Sequence, residues 1–176
     1  MNKKDTVVFD LDGTLLDTLE DLKNSVNYAM TQCGYPEHTL DEVRRYVGNG
    51  ILLLMQRAIP GGKDDPNFDK AFTLFKEHYG KHCNDTTKPY AGIMELLHTL
   101  KENNIKIAIV SNKADFAVKE LNAIYFKDLI LVAIGEKESE GIRKKPAPDT
   151  VIEALKQLGS TAENSVYIGD SDVDIE

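Results

Sequence analysis

The sequence has no tryptophan and only two cysteines, Cys33 and Cys83. Two thiols with neither a paired framework nor the C-x-x-C spacing of a zinc site exclude a disulfide-stapled scaffold. They point to a reducing compartment, with both thiols idle or buried. Long apolar runs are missing too. The run that begins at Thr6, after Met1-Asn2-Lys3-Lys4-Asp5, is only about five residues long, too short for a signal-peptide core or a membrane span. A cytoplasmic protein with no membrane partner is expected. Positive charge is in short supply: 21 Lys and Arg face 29 Asp and Glu, for a net charge of −8. Such a surface repels nucleic acid and anionic lipid, so neither is an expected partner. His38, His78, His82 and His98 are scattered without metal-ligand spacing and read as surface or packing residues. Neither a G-x-G-x-x-G loop nor a Walker lysine is present.

What is there suits one enzyme-sized unit, since 41% of the 176 residues are hydrophobic, enough for a core domain plus a modest insertion. Thr6-Val7-Val8-Phe9 is β-branched and aromatic without alternation, as a strand covered on both faces should be, and it stops at Asp10. Ile105 to Val110 stops in the same way at Ser111-Asn112, and Val166-Tyr167-Ile168 at Gly169-Asp170. A fourth run, Leu129 to Ile134, precedes Gly135 and a charged loop. Helical segments lie between these runs, and the alternation predicts an α/β fold with a doubly wound parallel sheet. In such sheets ligands bind beyond the carboxyl ends of the strands, so Asp10, Ser111 and Asp170 should converge.

Residues 18–81 break the alternation and read as an inserted all-helical cap, leaving 1–17 and 82–176 as a discontinuous core. Thr18 with Asp21 resembles a capping box ahead of the helical stripe Leu19, Leu22, Val26, Ala29, Met30 and Cys33, which Gly34 stops. Thr39 with Glu42 repeats the signal, Ile51 to Ile59 resumes after Gly48-Asn49-Gly50, and a further helix is expected over Phe68 to Tyr79.

Asp10 and Asp12 stand two residues apart at a strand end, so in extended chain both side chains point the same way and can share one phosphoryl group. Paired carboxylates in different surroundings divide labour: the ionised one attacks phosphorus while the other holds a proton for the leaving group. Gly13 allows a tight turn beside a ligand, and Thr14 offers a hydroxyl to it.

Asp10-Leu11-Asp12-Gly13-Thr14-Leu15 with Asp17-Thr18, then Ser111-Asn112, Lys145-Pro146-Ala147-Pro148-Asp149 and Gly169-Asp170-Ser171-Asp172-Val173-Asp174 follow one another along nearly the whole chain. In this order they resemble the four motifs of the haloacid dehalogenase superfamily of phosphohydrolases. The resemblance implies a Rossmann-like core with Asp10 as the nucleophile that becomes an aspartyl-phosphate and Asp12 as general acid and base. It gives the Ser111 hydroxyl and the neighbouring backbone N–H, at Asn112, to the phosphoryl oxygens, although Ser-Asn before Ala114 to Ile124 also reads as a helix N-cap. Lys145 would balance the charge of the intermediate, while Arg143 and Lys144 read as surface residues. Magnesium is the implied cofactor, held by Asp10, Asp12 and Asp170 with Asp174 in an outer or water-mediated place.

The insert resembles the cap of the phosphoglycolate phosphatase group, and Arg45 with Val47-Gly48-Asn49-Gly50 resembles its loop, where Arg45 would pair with a substrate carboxylate or sit on the helix surface. The expected activity is therefore a magnesium-dependent phosphatase acting on a small phosphate monoester such as 2-phosphoglycolate. A sugar phosphomutase, a pyrophosphatase, or a non-catalytic piece that binds metal or a partner are the alternatives. The last arises because the chain stops at Glu176 while the superfamily continues through a further helix and strand, so a C-terminally shortened core is expected.

Overall fold

The structure, a computed structural model, describes residues 4–175. In chain order the elements begin with β1 (Thr6–Phe9), β2 (Leu16–Asp17), α1 (Leu19–Gln32), α2 (Leu40–Tyr46), α3 (Ile51–Ala58) and α4 (Phe68–His82). They continue with β3 (Lys88–Pro89), α5 (Ile93–Glu102), β4 (Lys106–Ala114) and α6 (Asp115–Tyr125). The last three are β5 (Val132–Glu136), α7 (Asp149–Leu158) and β6 (Ser165–Ile168). Two compact units result: the chain up to Leu16 with the chain from Pro89 onward, and Asp17–Lys88. The second unit thus closes later than the expected boundary at 81.

The first unit is an α/β fold around a parallel sheet of order β5-β4-β1-β6. Val8 of β1 sits between Ala108 and Tyr167, and Phe9 between Ile109 and Ile168. One face of the sheet packs Phe9, Ile107 and Ile109 against Leu97 of α5 and Val118 and Leu121 of α6. The other packs Val8, Ala108 and Val110 against Ala154 and Leu155 of α7. Cover on both faces is why β1 and β4 read as continuous apolar runs, each large buried side chain being worth about 1.5–3 kcal/mol.

Two strands differ from their expected extents. The fourth apolar run pairs only from Val132, because the N–H groups of Leu129 and Ile130 both donate to the Phe126 carbonyl, at 2.8 and 2.9 Å, in the turn that follows α6. β4 runs past Val110 through Ser111 and Asn112 to Ala114, which pairs with Glu136 after a register shift. Ser111 and Asn112 are therefore strand residues, and the N-cap of α6 is Ala114, with no side-chain cap bond.

The second unit has its own core, in which Val26, Ala29 and Met30 of α1 meet Val43 of α2, Met55 of α3 and Ala71 and Phe75 of α4. Thr39 and Glu42 form the expected capping box. Thr18 makes no side-chain cap bond. The Asp21 carboxylate turns instead to the segment after α4, accepting the N–H of Thr86 at 3.0 Å and of Thr87 at 2.9 Å. Both threonine hydroxyls donate to it as well, at 2.6 and 2.8 Å. Four donors on a buried carboxylate outweigh one helix-terminal N–H.

Candidate active site

The carboxyl ends of β1, β4 and β6 and the loop before α7 deliver their polar residues to one place. Asp10 follows β1 directly, its N–H donating to the Ile168 carbonyl at 2.9 Å, so its backbone continues the sheet. Its side chain is buried. Lys145 Nζ lies 3.0 Å from Asp10 Oδ1, close enough to pair but not aligned as a hydrogen bond, so Oδ1 is buried without a hydrogen-bond donor. Burial pushes the Asp10 carboxyl up from 3.8 to about 6; Lys145 opposes this, and Asp12 and Asp174 add to it.

Lys145 is buried and tied at both ends. Its ammonium contacts Asp174 Oδ1 at 2.6 Å and donates to the Tyr167 hydroxyl at 2.9 Å. Its backbone N–H donates to Asn112 Oδ1 at 2.9 Å, and its carbonyl accepts from Asn112 Nδ2 at 3.1 Å. Asp174 also accepts from the N–H and hydroxyl of Ser171, at 2.9 and 2.7 Å. Burial raises the Asp174 carboxyl, but the bonds from Lys145 and Ser171 outweigh it and hold the group below its ordinary 3.8. Tyr167 donates onward to the Val110 carbonyl at 3.1 Å; burial and the nearby Asp10 and Asp174 push its phenol well up, so it stays neutral.

On the other side of Asp10, Gly13 has φ +84°, and a Cβ there would stand 2.3 Å from Asp170 Oδ2. Only glycine combines that backbone with so close an approach. The Thr14 hydroxyl donates to Asp170 Oδ1 at 2.7 Å, so Gly13 and Thr14 serve the Asp170 carboxylate. Asp12 points to Lys113, whose Nζ lies 2.9 Å from Oδ1 and 3.2 Å from Oδ2. Ser111 is buried on the same strand, its Oγ accepting the Lys113 N–H at 3.4 Å. Arg45 is exposed on α2 in the helical unit.

Asp10, Asp170 and Asp174 each offer a carboxylate oxygen, all within 4.8 Å of one another. The Asp12 side chain is not in that group; Asp174 is, with both its oxygens already accepting from Lys145 and Ser171. Two ammonium groups, Lys113 and Lys145, face the four carboxylates of Asp10, Asp12, Asp170 and Asp174. That surplus of negative charge and the all-oxygen donors fit a hard divalent cation. Lys113 and Tyr167 were not expected here. The available signal for Lys113 is its place two residues after Ser111, just past the apolar run of β4.

The family model for haloacid dehalogenase-like hydrolases matches residues 7–176. This chain belongs to that family. Among haloacid dehalogenase-like hydrolases it is 33% identical over 174 residues to the phosphoglycolate phosphatase of Aquifex aeolicus, a match covering 97% of this chain and 78% of that protein. It is 31% identical to the phosphoglycolate phosphatase of Pseudomonas putida, of which it spans 64%. The crystal structure of a candidate phosphoglycolate phosphatase from Lactobacillus delbrueckii subsp. bulgaricus superposes with a TM-score of 0.88 at 34% identity, covering 98% of this chain and 81% of that one.

Proposed function

We propose that this haloacid dehalogenase-like hydrolase is a magnesium-dependent phosphatase that cleaves a small organic phosphate monoester of the 2-phosphoglycolate type through an aspartyl-phosphate on Asp10. The observation that carries this reading is the buried Asp10 carboxylate, with Lys145 Nζ 3.0 Å from one oxygen and two further carboxylates grouped beside it. The phosphoglycolate phosphatases among its relatives support the substrate class. Held by Asp10 and Asp170, with Asp174, whose oxygens already accept from Lys145 and Ser171, in an outer place, magnesium would neutralise phosphoryl charge as a Lewis acid.

The protein's own groups divide the work. An Asp10 carboxylate oxygen attacks phosphorus and the bond from phosphorus to the leaving oxygen breaks, Asp12 giving that oxygen its proton. The alcohol departs, and the phosphoryl group remains on Asp10. Water then attacks phosphorus and passes a proton back to Asp12, while the bond from phosphorus to Asp10 breaks. Inorganic phosphate, a free Asp10 carboxylate and a reprotonated Asp12 result. Ser111 Oγ is assigned to a phosphoryl oxygen, and Lys145 to the charge on Asp10 and its phosphoryl group. The Asn112 side chain bonds the Lys145 backbone and so places that lysine, while the phosphoryl contact assigned to Asn112 is that of its backbone N–H.

No helix among the described residues is long and apolar enough to cross a membrane. With the acidic surface, this supports a cytoplasmic enzyme with a small-molecule substrate. The test is phosphate release from phosphorylated acids, sugars and pyrophosphate as magnesium is varied. Preferred turnover of 2-phosphoglycolate-like acids is expected; a mutase product or preference for pyrophosphate would replace this reading.

A further inference from the structure

Lys113 belongs to none of the four motif positions, yet its side chain is only 1% exposed and its ammonium spans both oxygens of Asp12, which is itself 15% exposed. An ammonium withdrawn from water must be matched by a charge that stays put, so each group fixes the other. The backbone explains how it gets there. β4 persists beyond Val110 to Ala114, with a register shift in that stretch, and this carries the Lys113 ammonium to Asp12. Asp12 has its own anchor in the Gly13 N–H bond to the Leu16 carbonyl at 3.0 Å, which closes the turn around it. A short side chain on a closed turn has two torsions left, and contact with both oxygens restrains both.

We infer that Lys113 is a positioning residue for Asp12, holding its rotation through one oxygen while the other, protonated when the alcohol is expelled, meets the leaving oxygen of the substrate. This rests on the phosphatase reading above and deepens it. A group that orients the proton donor matters in proportion to how badly the leaving oxygen needs a proton. Lys113 therefore sets the rate for unactivated alkyl phosphates and matters little for aryl esters whose phenolate leaves unaided. A lysine that gripped the phosphoryl group directly, or merely held the fold together, would not distinguish them.

The test compares 2-phosphoglycolate with 4-nitrophenyl phosphate on the same samples of the parent chain and Lys113→Met, at saturating magnesium. Loss of folded protein lowers both rates alike and cancels in their ratio. The expected result is a fall of about 100-fold in kcat on the alkyl ester with KM little changed, against less than about tenfold on the aryl ester. In an Asp12→Asn background, Lys113→Met should leave the ratio where Asp12→Asn alone puts it. Lys113→Gln, which keeps an N–H donor, is read in the same way if the Met variant does not fold. Equal losses on the two esters, or a further change of ratio in the Asp12→Asn background, overturn the role of Lys113. A parent chain that hydrolyses neither ester overturns the phosphatase reading itself.

Discussion

Asn112 and Lys145 hold each other through two reciprocal hydrogen bonds, one from the Lys145 N–H to the Asn112 side-chain oxygen at 2.9 Å and one from the Asn112 amide to the Lys145 carbonyl at 3.1 Å. The pair fastens β4 to the loop that aims Lys145 at Asp10. Asn112→Ala should lower kcat by about 10- to 100-fold while KM changes little, because what is lost is the placing of a charge that acts on the intermediate. Asn112→Asp should be worse, since a carboxylate oxygen would then face the Lys145 carbonyl. Steady-state kinetics on the three proteins checks this.

Asp10 should make the metal-free chain less stable at neutral pH. Its carboxyl is pushed up from 3.8 to about 6, burial leading, so between those values the folded chain keeps a proton that the unfolded chain has lost. The contribution is present below 3.8 and is lost as pH rises through about 6. In chelator at pH 7.5, which is above that window, Asp10→Asn should be more stable than the parent by on the order of 2–3 kcal/mol, the difference closing at acid pH. Urea unfolding across pH measures it. Magnesium should stabilise the parent and leave the variant unmoved.

Gly13→Ala places a methyl group 2.3 Å from Asp170 Oδ2 on a backbone with φ +84°. Asp170 must give way, so magnesium affinity should fall by at least tenfold and stability by about 1–2 kcal/mol. Isothermal titration with magnesium and thermal unfolding read the two effects separately.

Asp21→Ala removes the acceptor for the N–H groups of Thr86 and Thr87 and for both their hydroxyls. The buried N–H of Thr87 and the part-buried N–H of Thr86 then lack this partner, a loss of about 1–3 kcal/mol by denaturant titration. Replacing Thr18, the expected cap, with Ala should cost less.

The sheet and the carboxylates of its site were legible because they are local. Strands β1 and β4, buried on both faces, write apolar runs with Asp10 and Ser111 where those runs stop, and Asp170 follows the short run of β6, whose Val166 and Ile168 are exposed. What escaped depends on partners far along the chain. Asp21 reads as a cap until Thr86 and Thr87, 65 and 66 residues away, claim it. Lys113 reads as a polar residue after a strand until the fold brings Asp12 to it across 101 residues. Leu129 and Ile130 are apolar enough for a strand, but the Phe126 carbonyl takes their N–H groups before a ladder can.

The most direct test of Asp10 as the nucleophile is to quench a reaction with 2-phosphoglycolate and magnesium in acid, reduce with borohydride, and weigh the peptide that spans Thr6 to Leu15. An acyl phosphate on Asp10 is reduced to the alcohol, so homoserine at position 10, absent without substrate, is the expected result. Phosphate release at the parent rate from Asp10→Asn, with residue 10 of the parent unmodified, would contradict it.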